Sequence, residues 1–174
     1  MTRNASIAVV MVAGLLQGCG FSPLYGSGTG SAVGAGELGS INVALIPDRA
    51  GQELRQDLQE ALESGASAAG AQYDLYVTVS IAESDVAINQ QTASTRARDT
   101  GTASWVLRTE GEKHAEIASG VAHALDGYDI INQQFFAADM SREAAIRRID
   151  QTLAGQITQQ LAVYFDRRRS RLKE

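Results

Sequence analysis

The sequence predicts an α/β fold of the α+β sandwich type, in which two helices pack on one face of a mixed four-stranded sheet in the order β-α-β-β-β-α. Three patterns support it: apolar and polar residues alternate over 73–81, leucines recur at helical spacing over 54–62, and a long helical stripe closes the chain. A strand, a helix and a second strand favour a parallel pair, and the following hairpin adds antiparallel strands. The second face of the sheet is thereby left for a partner.

The first strand and the first helix are recognised by their borders. Ile41–Ile46 is a short apolar run closed by Pro47, which predicts a strand. Asp48 can cap the following helix, and Gly65 and Gly70 end it. One face of that helix is apolar at Leu54, Leu58, Ala61 and Leu62.

The second strand has the clearest period of two in the chain. Its apolar positions are Tyr73, Leu75, Val77, Val79 and Ile81. Between them lie Tyr76, Thr78 and Ser80, which we expect on the uncovered face, where their polarity suits a hydrated contact. The apolar parity then changes, and an extra residue between Ala82 and Asp85, a β-bulge, accounts for the change.

The third and fourth strands are predicted as a hairpin. Residues 89–102 are polar and are interpreted as a loop or strand edge, after which alternation resumes. Residues 110–113, Glu-Gly-Glu-Lys, are typical of a hairpin turn, and 115–123 forms the partner strand. An irregular stretch is expected over 126–136.

The last element is predicted to be a long helix that begins at Asp139 or Ser141. Gly155 lies opposite its apolar stripe, which consists of Ile146, Ile149, Leu153, Ile157, Leu161 and Tyr164. A helix of about 30 residues is roughly 45 Å long and exceeds the strands beneath it.

The N-terminus has the pattern of a bacterial lipoprotein signal. Arg3 precedes an apolar run of about ten residues, 7–16, which is too short to span a bilayer. The only cysteine, Cys19, follows a small residue just after that run. Residues 1–18 are therefore predicted to be a signal peptide, and Cys19 the lipidated first residue of the mature chain. An ordinary secretory signal with a stray cysteine is the alternative.

The predicted anchor also indicates a location. Three acyl chains on Cys19 would hold the protein at a membrane, since each buried CH₂ contributes about 0.8 kcal/mol. Gly20 is not the aspartate that retains many lipoproteins of Gram-negative bacteria at the inner membrane, which indicates the periplasmic side of the outer membrane. Residues 19–39 form the lipidated N-terminus and a tether rich in glycine and serine, and residues 40–174 form a single domain.

Composition limits the classes of function. The chain of 174 residues has a formal charge of −5, which speaks against a nucleic-acid partner because phosphates require a basic face. His114 and His123 lack metal-ligand spacing and are interpreted as a solvated turn residue and a strand-face residue. The sequence contains no nucleophile and base at a productive spacing, no phosphate loop and no dinucleotide motif. We therefore predict that the protein is not an enzyme and holds no metal or cofactor.

Two basic clusters are candidates for binding. The cluster in 167–173 ends the last helix, where cations complement the helix dipole, and contact with an anionic membrane or glycolipid is the alternative. Arg96 and Arg98 are alternate residues in the polar stretch. They could bind the phosphates of an anionic glycolipid through bidentate hydrogen bonds, and a solvated loop edge is the other interpretation.

Residues 19–26, Cys-Gly-Phe-Ser-Pro-Leu-Tyr-Gly, resemble the start of mature members of the LptE family, the lipopolysaccharide-assembly lipoproteins. The likeness continues through 47–62, the strand order and the final helix. It implies a plug subunit inside the LptD β-barrel of the outer membrane, which assists assembly of that barrel and delivery of lipopolysaccharide to the cell surface. It also implies lipopolysaccharide contact by basic residues near a strand loop, the region of Arg96 and Arg98.

Two other functions stay open at the level of the residues. A lipid-anchored periplasmic scaffold of another envelope complex, such as a secretion or pilus machine, would share the same anchor and domain. A periplasmic enzyme carried on a lipid anchor is disfavoured because the sequence contains no catalytic constellation.

Overall fold

The computed structural model describes residues 37–63, 70–87, 94–111, 114–131 and 135–172. In chain order the elements are β1 (Ile41–Val43), α1 (Arg49–Glu63), β2 (Tyr73–Ala87), β3 (Ser94–Thr109), β4 (Glu116–Ile131) and α2 (Phe135–Leu172). The strands form one sheet in the order β1-β2-β3-β4, with β1 parallel to β2 and the other pairs antiparallel. The predicted element order and mixed four-stranded sheet are confirmed.

β1 is shorter than predicted because the chain leaves the sheet after Val43. Leu45 is exposed, whereas Ile46 is buried against the first turns of α1. A Cβ at Gly51 would lie only 2.6 Å from the Cγ2 atom of Ile46. The absence of a side chain at Gly51 therefore lets Ile46 enter the core.

The start of α1 and its buried face agree with the prediction. The carbonyl of Asp48 accepts the amide of Gln52 at 3.0 Å, and Asp48 has a φ of 68°, a left-handed conformation that aspartate tolerates better than most residues. The leucines of the predicted face are fully buried, namely Leu54, Leu58 and Leu62.

The main core lies between the two helices and the inner face of the sheet. Its largest fully buried side chains include Leu54, Leu58, Leu75, Leu107, Ile149, Leu153, Ile157, Leu161 and Phe165. The ring of Phe165 lies 5.2 Å from those of both Tyr73 and Tyr164, within the range of favourable aromatic pairs. One continuous apolar cluster thus joins α1, α2 and all four strands.

β2 contains a bulge, slightly later than predicted. The register with β3 shifts between Asp85 and Ala87, so Val86 is the extra residue. The prediction placed it between Ala82 and Asp85. Glu83 is an inward position before the bulge, and its polarity ends the apolar pattern before the backbone becomes irregular.

β3 begins at Ser94, so the interpretation of 89–102 as a loop or strand edge is wrong from Ser94 onward. The inward positions of this stretch are small or polar but buried, namely Ala97, Asp99 and Gly101. A Cβ at Gly101 would overlap the Cγ2 atom of Ile149 in α2. The helix therefore packs too closely for large apolar residues, and the strand has no visible apolar alternation.

β4 runs to Ile131, so the irregular stretch predicted over 126–136 is wrong for 126–131. Its pairing with β3 continues to the match of Ile131 with Ser94. Residues 112 and 113 of the predicted turn lie outside the described residues, and the amide of His114 donates to the carbonyl of Gly111 at 3.2 Å.

α2 has 38 residues and starts at Phe135, several residues before the predicted start. Ser141 donates to the carbonyl of Ala137 at 2.8 Å inside the helix and does not cap it. Most of the predicted stripe is buried, Ile146 and Tyr164 are half-buried, and Gly155 is exposed as predicted. The prediction missed several further buried positions, because α2 packs on both the sheet and α1, and these include Asp150, Thr158 and Phe165.

The last residues of the predicted tether, 37–39, and the following Ser40 pack against the domain. Leu38 and Ser40 are buried, and Arg169 pairs with Glu37 at 3.3 Å. The rest of the predicted tether, the predicted signal peptide and Cys19 lie outside the described residues.

Candidate functional site

The face of the sheet turned away from the helices, here called the open face, consists of alternate residues of the strands. Tyr76, Thr78 and Ser80 are exposed on it, as predicted. Most other exposed positions on this face are polar or charged: Asn42, Ser84, Arg96, Arg98, Ser104, Arg108, Ser119, His123 and Asp129. No helix covers this face in the described part of the chain, so it is the candidate site for a partner or ligand.

The structure brings Arg96 and Arg98 together on the open face of β3, where both are exposed. They are alternate residues of one strand, so their side chains project to the same side. Their position within a strand that is paired on both sides corrects the interpretation as a loop or strand edge, and both guanidinium groups lie on one surface.

The surroundings of the two arginines differ. Arg96 lies opposite Asp129 of β4, with 3.8 Å between its Nε atom and the Asp129 Oδ1 atom. Arg98 lies opposite Ser84 on one side and Gly127 on the other, and its side chain is exposed. No ion pair joins Arg98 to an acid among the described residues. Arg98 is therefore the more accessible cation for an anionic ligand.

A third arginine on β3 belongs to the same face and was missed by the sequence analysis. The guanidinium of Arg108 lies 5.3 Å from the ring centre of Tyr76, within the distance of a cation–π contact. The sequence did contain an indication of Arg108. Residues 104, 106 and 108 alternate with the buried Trp105 and Leu107, so they lie on the opposite face of the strand. The cation–π contact makes Arg108 less available than Arg98.

Apolar side chains complete the open face at β4. Val121 is 47% exposed and Leu125 60% exposed, and Tyr76 on β2 is 42% exposed. A surface that combines exposed apolar groups with arginines is typical of a contact site rather than of a solvated face.

Behind the arginine pair, buried charges connect the sheet with the N-terminal half of α2. Asp99 is fully buried, and neither of its carboxylate oxygens has a hydrogen-bond partner among the described residues. The Nε atom of Arg142 lies 3.9 Å from Asp99 and 2.9 Å from Glu83. Burial raises the pKa of Asp99, and the charge of Arg142 opposes that increase.

A second ion pair reinforces the same region. Arg148 of α2 donates to Asp126 of β4 at 2.5 Å, and this hydrogen bond lowers the pKa of Asp126. The neighbouring apolar cluster is small and consists of Ala97, Tyr128 and Ala145. Electrostatic contacts therefore provide much of the connection between α2 and the sheet behind Arg96 and Arg98.

Asp150 is a buried acid in the interior of the domain. It is fully buried on α2 and its oxygens have no partner among the described residues. Burial raises its pKa to about 7, with a further contribution from Glu53 and Asp57 of α1. Its carboxyl group is therefore largely neutral in mildly acidic solution.

Comparison with protein families identifies the domain. Residues 38–161 match the family described as LptE: Lipopolysaccharide-assembly, and this match covers more than half of the chain. The chain belongs to the LptE family. The resemblance first indicated by residues 19–26 is thus confirmed by a separate part of the sequence. As a member of this family, the chain is a cell-envelope lipoprotein of lipopolysaccharide assembly.

Solved structures share the fold of this LptE-family chain. A candidate lipoprotein from Caulobacter crescentus CB15 is 25% identical, with a TM-score of 0.60, and the match covers 75% of this chain and 94% of that chain. Rare lipoprotein B from Shewanella oneidensis is 10% identical with a TM-score of 0.51, covers 78% and 98% respectively, and supports the fold alone. No curated protein sequence matches the chain.

The LptE family is a non-enzymatic lipoprotein family, in agreement with the prediction for this chain. Both histidines are exposed, and Nδ1 of His123 is 3.2 Å from Oγ1 of Thr102 across the open face. The described residues include no group of three or more His, Cys, Asp or Glu that could hold a metal ion. Among the described helices, none combines the length and apolar character that a membrane span requires.

Proposed function

We propose that this LptE-family chain is an outer-membrane lipoprotein that plugs the LptD β-barrel, assists its assembly and takes part in delivery of lipopolysaccharide to the cell surface. The observation that carries the proposal is the family match over residues 38–161. The fold provides a physical basis, since one sheet face is buried under helices and the other is free for a partner.

The open face suits the interior of an outer-membrane barrel. Such interiors are polar, and a body that enters one requires polar and charged side chains on its contacting surface. The exposed hydroxyl groups and arginines of the open face meet this requirement, while Val121 and Leu125 add apolar contact. We propose that the open face contacts the barrel wall or the lipopolysaccharide that passes it.

The proposed anchor is Cys19. The thiol of Cys19 would carry a diacylglyceryl group, and removal of the signal peptide, 1–18, would free its amino group for an amide-linked palmitate. Residues 19–39 would connect this anchor to the LptE-like domain, 40–174. Gly20 after the cysteine supports transport to the periplasmic side of the outer membrane.

Arg98, with Arg96 beside it, is the proposed lipopolysaccharide contact. Guanidinium groups bind phosphate oxygens through paired, charge-assisted hydrogen bonds. The two exposed guanidinium groups project from one side of β3, and Arg98 lies between two small neighbours. Lipid phosphates can therefore reach Arg98 without displacing an existing ion pair.

The test is purification of the tagged full-length protein from outer membranes in mild detergent, with mass spectrometry of the Cys19 peptide and of copurifying proteins. We expect a triacylated cysteine and LptD in an approximately equal amount. Depletion of the protein should leave LptD misassembled.

Two outcomes would contradict the proposal. Correct assembly of LptD in cells that lack the protein would exclude the assembly role. A lipidated protein that elutes alone, or with secretion or inner-membrane components, would favour a scaffold of another envelope complex. A Cys19→Ser variant is the matched control, since it retains the domain and lacks the acylation site.

A further inference from the structure

The outer edge of β4 is partly sealed by side chains of α2. The amide of His123 donates to the Oε1 atom of Gln156 at 3.2 Å, and the Nε2 atom of Gln156 donates to the carbonyl of His123 at 2.9 Å. The Nε2 atom of Gln160 donates to the carbonyl of Val121 at 3.1 Å. Gln156 thus occupies both backbone groups of His123, as a neighbouring strand would.

These side-chain hydrogen bonds to the edge of β4 end at Val121. Alternate residues of a strand direct their backbone groups to the same side, so the amide and carbonyl of Ser119 face outward like those of His123. Within the described part of the chain, no hydrogen bond from α2 or from a loop reaches this side of Ser119. A β-bulge at Ile117 interrupts the regular pairing of β4 just below this point. In the stretch Glu116–Ser119, here called the free edge, the unpaired backbone groups are therefore those of Ser119.

A groove borders the free edge. It has a volume of about 520 Å³ and runs between β4 and the C-terminal half of α2. Trp105, Ile117, Val163 and Tyr164 provide its apolar lining, and the indole N–H of Trp105 donates to Gln160 Oε1 at 2.8 Å. The groove and the free edge thus form one concave surface with both apolar and backbone-pairing groups.

Both charged residues that line the groove are arginines, and the exposed Glu116 lies at the far end of the free edge. Arg167 and Arg171 line it, one and two turns beyond Val163 on the same stripe of α2. Neither makes an ion pair or hydrogen bond within the described part of the chain. The helix dipole explains cations near this terminus, but it does not require them on the side that faces the groove.

We propose that an extended, acidic segment of a partner polypeptide adds as a strand to the free edge of β4. Its backbone would pair with Ser119, its apolar side chains would contact Val163 and Tyr164, and a carboxylate would bind Arg167 and Arg171. Strand addition of this kind takes affinity from main-chain hydrogen bonds and specificity from alternate side chains. The proposal is independent of the LptD assignment and does not involve Arg96 or Arg98.

The free edge favours a polypeptide over an anionic lipid. An acyl chain would fill the apolar lining and its headgroup would bind the arginines, but it offers nothing to the amide and carbonyl of Ser119. Only a polypeptide backbone uses all three features of this surface, which are the edge, the apolar lining and the arginines.

The test uses the full-length protein in a neutral maltoside detergent and a soluble acetylated nine-residue peptide. In this peptide threonine alternates with valine, and the last two threonines are replaced by glutamate. Trp105 is the only tryptophan of the chain and lies in the groove, so its fluorescence reports binding. We expect a saturable change in emission and slower hydrogen exchange of the Ser119 amide.

Charge exchange supplies the specificity control. A peptide with lysine in place of glutamate should bind about tenfold more weakly, the loss expected for two exposed charge contacts. The double variant Arg167→Glu, Arg171→Glu should reverse that preference. Arg147→Glu, an exposed arginine elsewhere on α2, should leave it unchanged.

Three results would overturn the proposal. The first is equal binding of the two peptides to the unmodified protein. The second is an emission change without protection of Ser119. The third is binding of dodecyl phosphate with no binding of the acidic peptide, which would assign the groove to an amphiphile.

Discussion

The two ends of the sheet are built from the same strands but are held in different ways. At the core end, which comprises strand residues 73–79, 103–109 and 118–122, large apolar side chains of β2 and β3 pack under both helices. At the distal end, which comprises 81–87, 94–101 and 124–131, the described inward positions other than Ile81 and Tyr128 are small or charged, and α2 is connected through Arg142 and Arg148. The core end therefore provides stability, and the distal end carries the accessible arginines.

The difference follows from the free energy of each type of contact. Full burial of a large apolar side chain stabilises a fold by roughly 1.5–3 kcal/mol. An exposed ion pair contributes about 0–1 kcal/mol. Local opening should thus begin at the distal end, which is a suitable property for a surface that adapts to a ligand or partner.

The largest effect is expected for Phe165→Ala at the core end. Phe165 is fully buried between Tyr73 and Tyr164, so its truncation should lower the free energy of unfolding by about 3–5 kcal/mol. Urea denaturation measures the loss. The matched control Phe136→Ala removes a side chain that is 80% exposed and should change stability by less than about 0.5 kcal/mol. Similar losses in the two variants would refute the assignment of stability to the core end.

The next prediction concerns the buried acid Asp150. Its pKa is raised from 3.8 to about 7 in the folded protein, so the neutral form stabilises the fold below pH 4 and this stability is lost as the pH rises to about 7. The free energy of unfolding should fall by up to about 1.4 kcal/mol per pH unit across this window.

The Asp150→Asn variant cannot ionise at this position, so its free energy of unfolding should not show this fall with pH. It should therefore be more stable than the unmodified protein at pH 8. Urea denaturation at pH 5 and pH 8 measures both values. Parallel pH dependence in the two proteins would show that Asp150 does not titrate in this window.

Arg142→Ala tests the distal end. It removes the cation near Glu83 and the buried Asp99, and the expected loss is about 1–2 kcal/mol because a buried carboxylate is left without compensation. Hydrogen exchange should become faster in 94–101 and stay unchanged in 103–109. Arg147→Ala, which removes an exposed pair with Glu143, is the control. Faster exchange throughout the sheet would show that the two ends unfold together.

The smallest effect on stability, and the most specific effect on binding, is expected for Arg98→Glu. Arg98 is exposed and unpaired among the described residues, so the free energy of unfolding should change by less than about 0.5 kcal/mol. Affinity for lipopolysaccharide should fall about tenfold, as expected for loss of a charge-assisted phosphate contact.

Arg108→Glu is the matched control for that binding experiment, because Arg108 is on the same strand and face but at the core end. Calorimetric titration with purified lipopolysaccharide distinguishes the two variants. Equal losses of affinity would indicate a nonspecific response to charge over the whole open face, and no loss for Arg98→Glu would exclude that residue as a contact.

The sequence predicted the core end better than the distal end, for a physical reason. Large alternating residues such as Leu75 and Val77 leave a visible period of two. At the distal end, close approach of α2 restricts the inward positions to Ala97, Asp99 and Gly101, which do not form an apolar pattern. Long strands were therefore interpreted as loops.

Parts of the candidate site were predictable in a similar way. Tyr76 and its neighbours followed from strand parity, and Arg96 and Arg98 were identified by their alternate positions. The register between β3 and β4 places Asp129 beside Arg96 as an ion-pair partner. The same register leaves Arg98 without an acidic partner among the described residues. Cross-strand register is set by the tertiary fold, and it could not be obtained from one sequence.

The glutamine contacts along β4 also bear on how the protein behaves in solution as an isolated molecule. An uncovered edge strand is a template on which identical chains pair and aggregate. Gln156 and Gln160 remove that template from the middle of β4. A strand added at Ser119 cannot extend past Val121, so pairing at this edge stops after a few residues and does not propagate into a larger assembly of sheets.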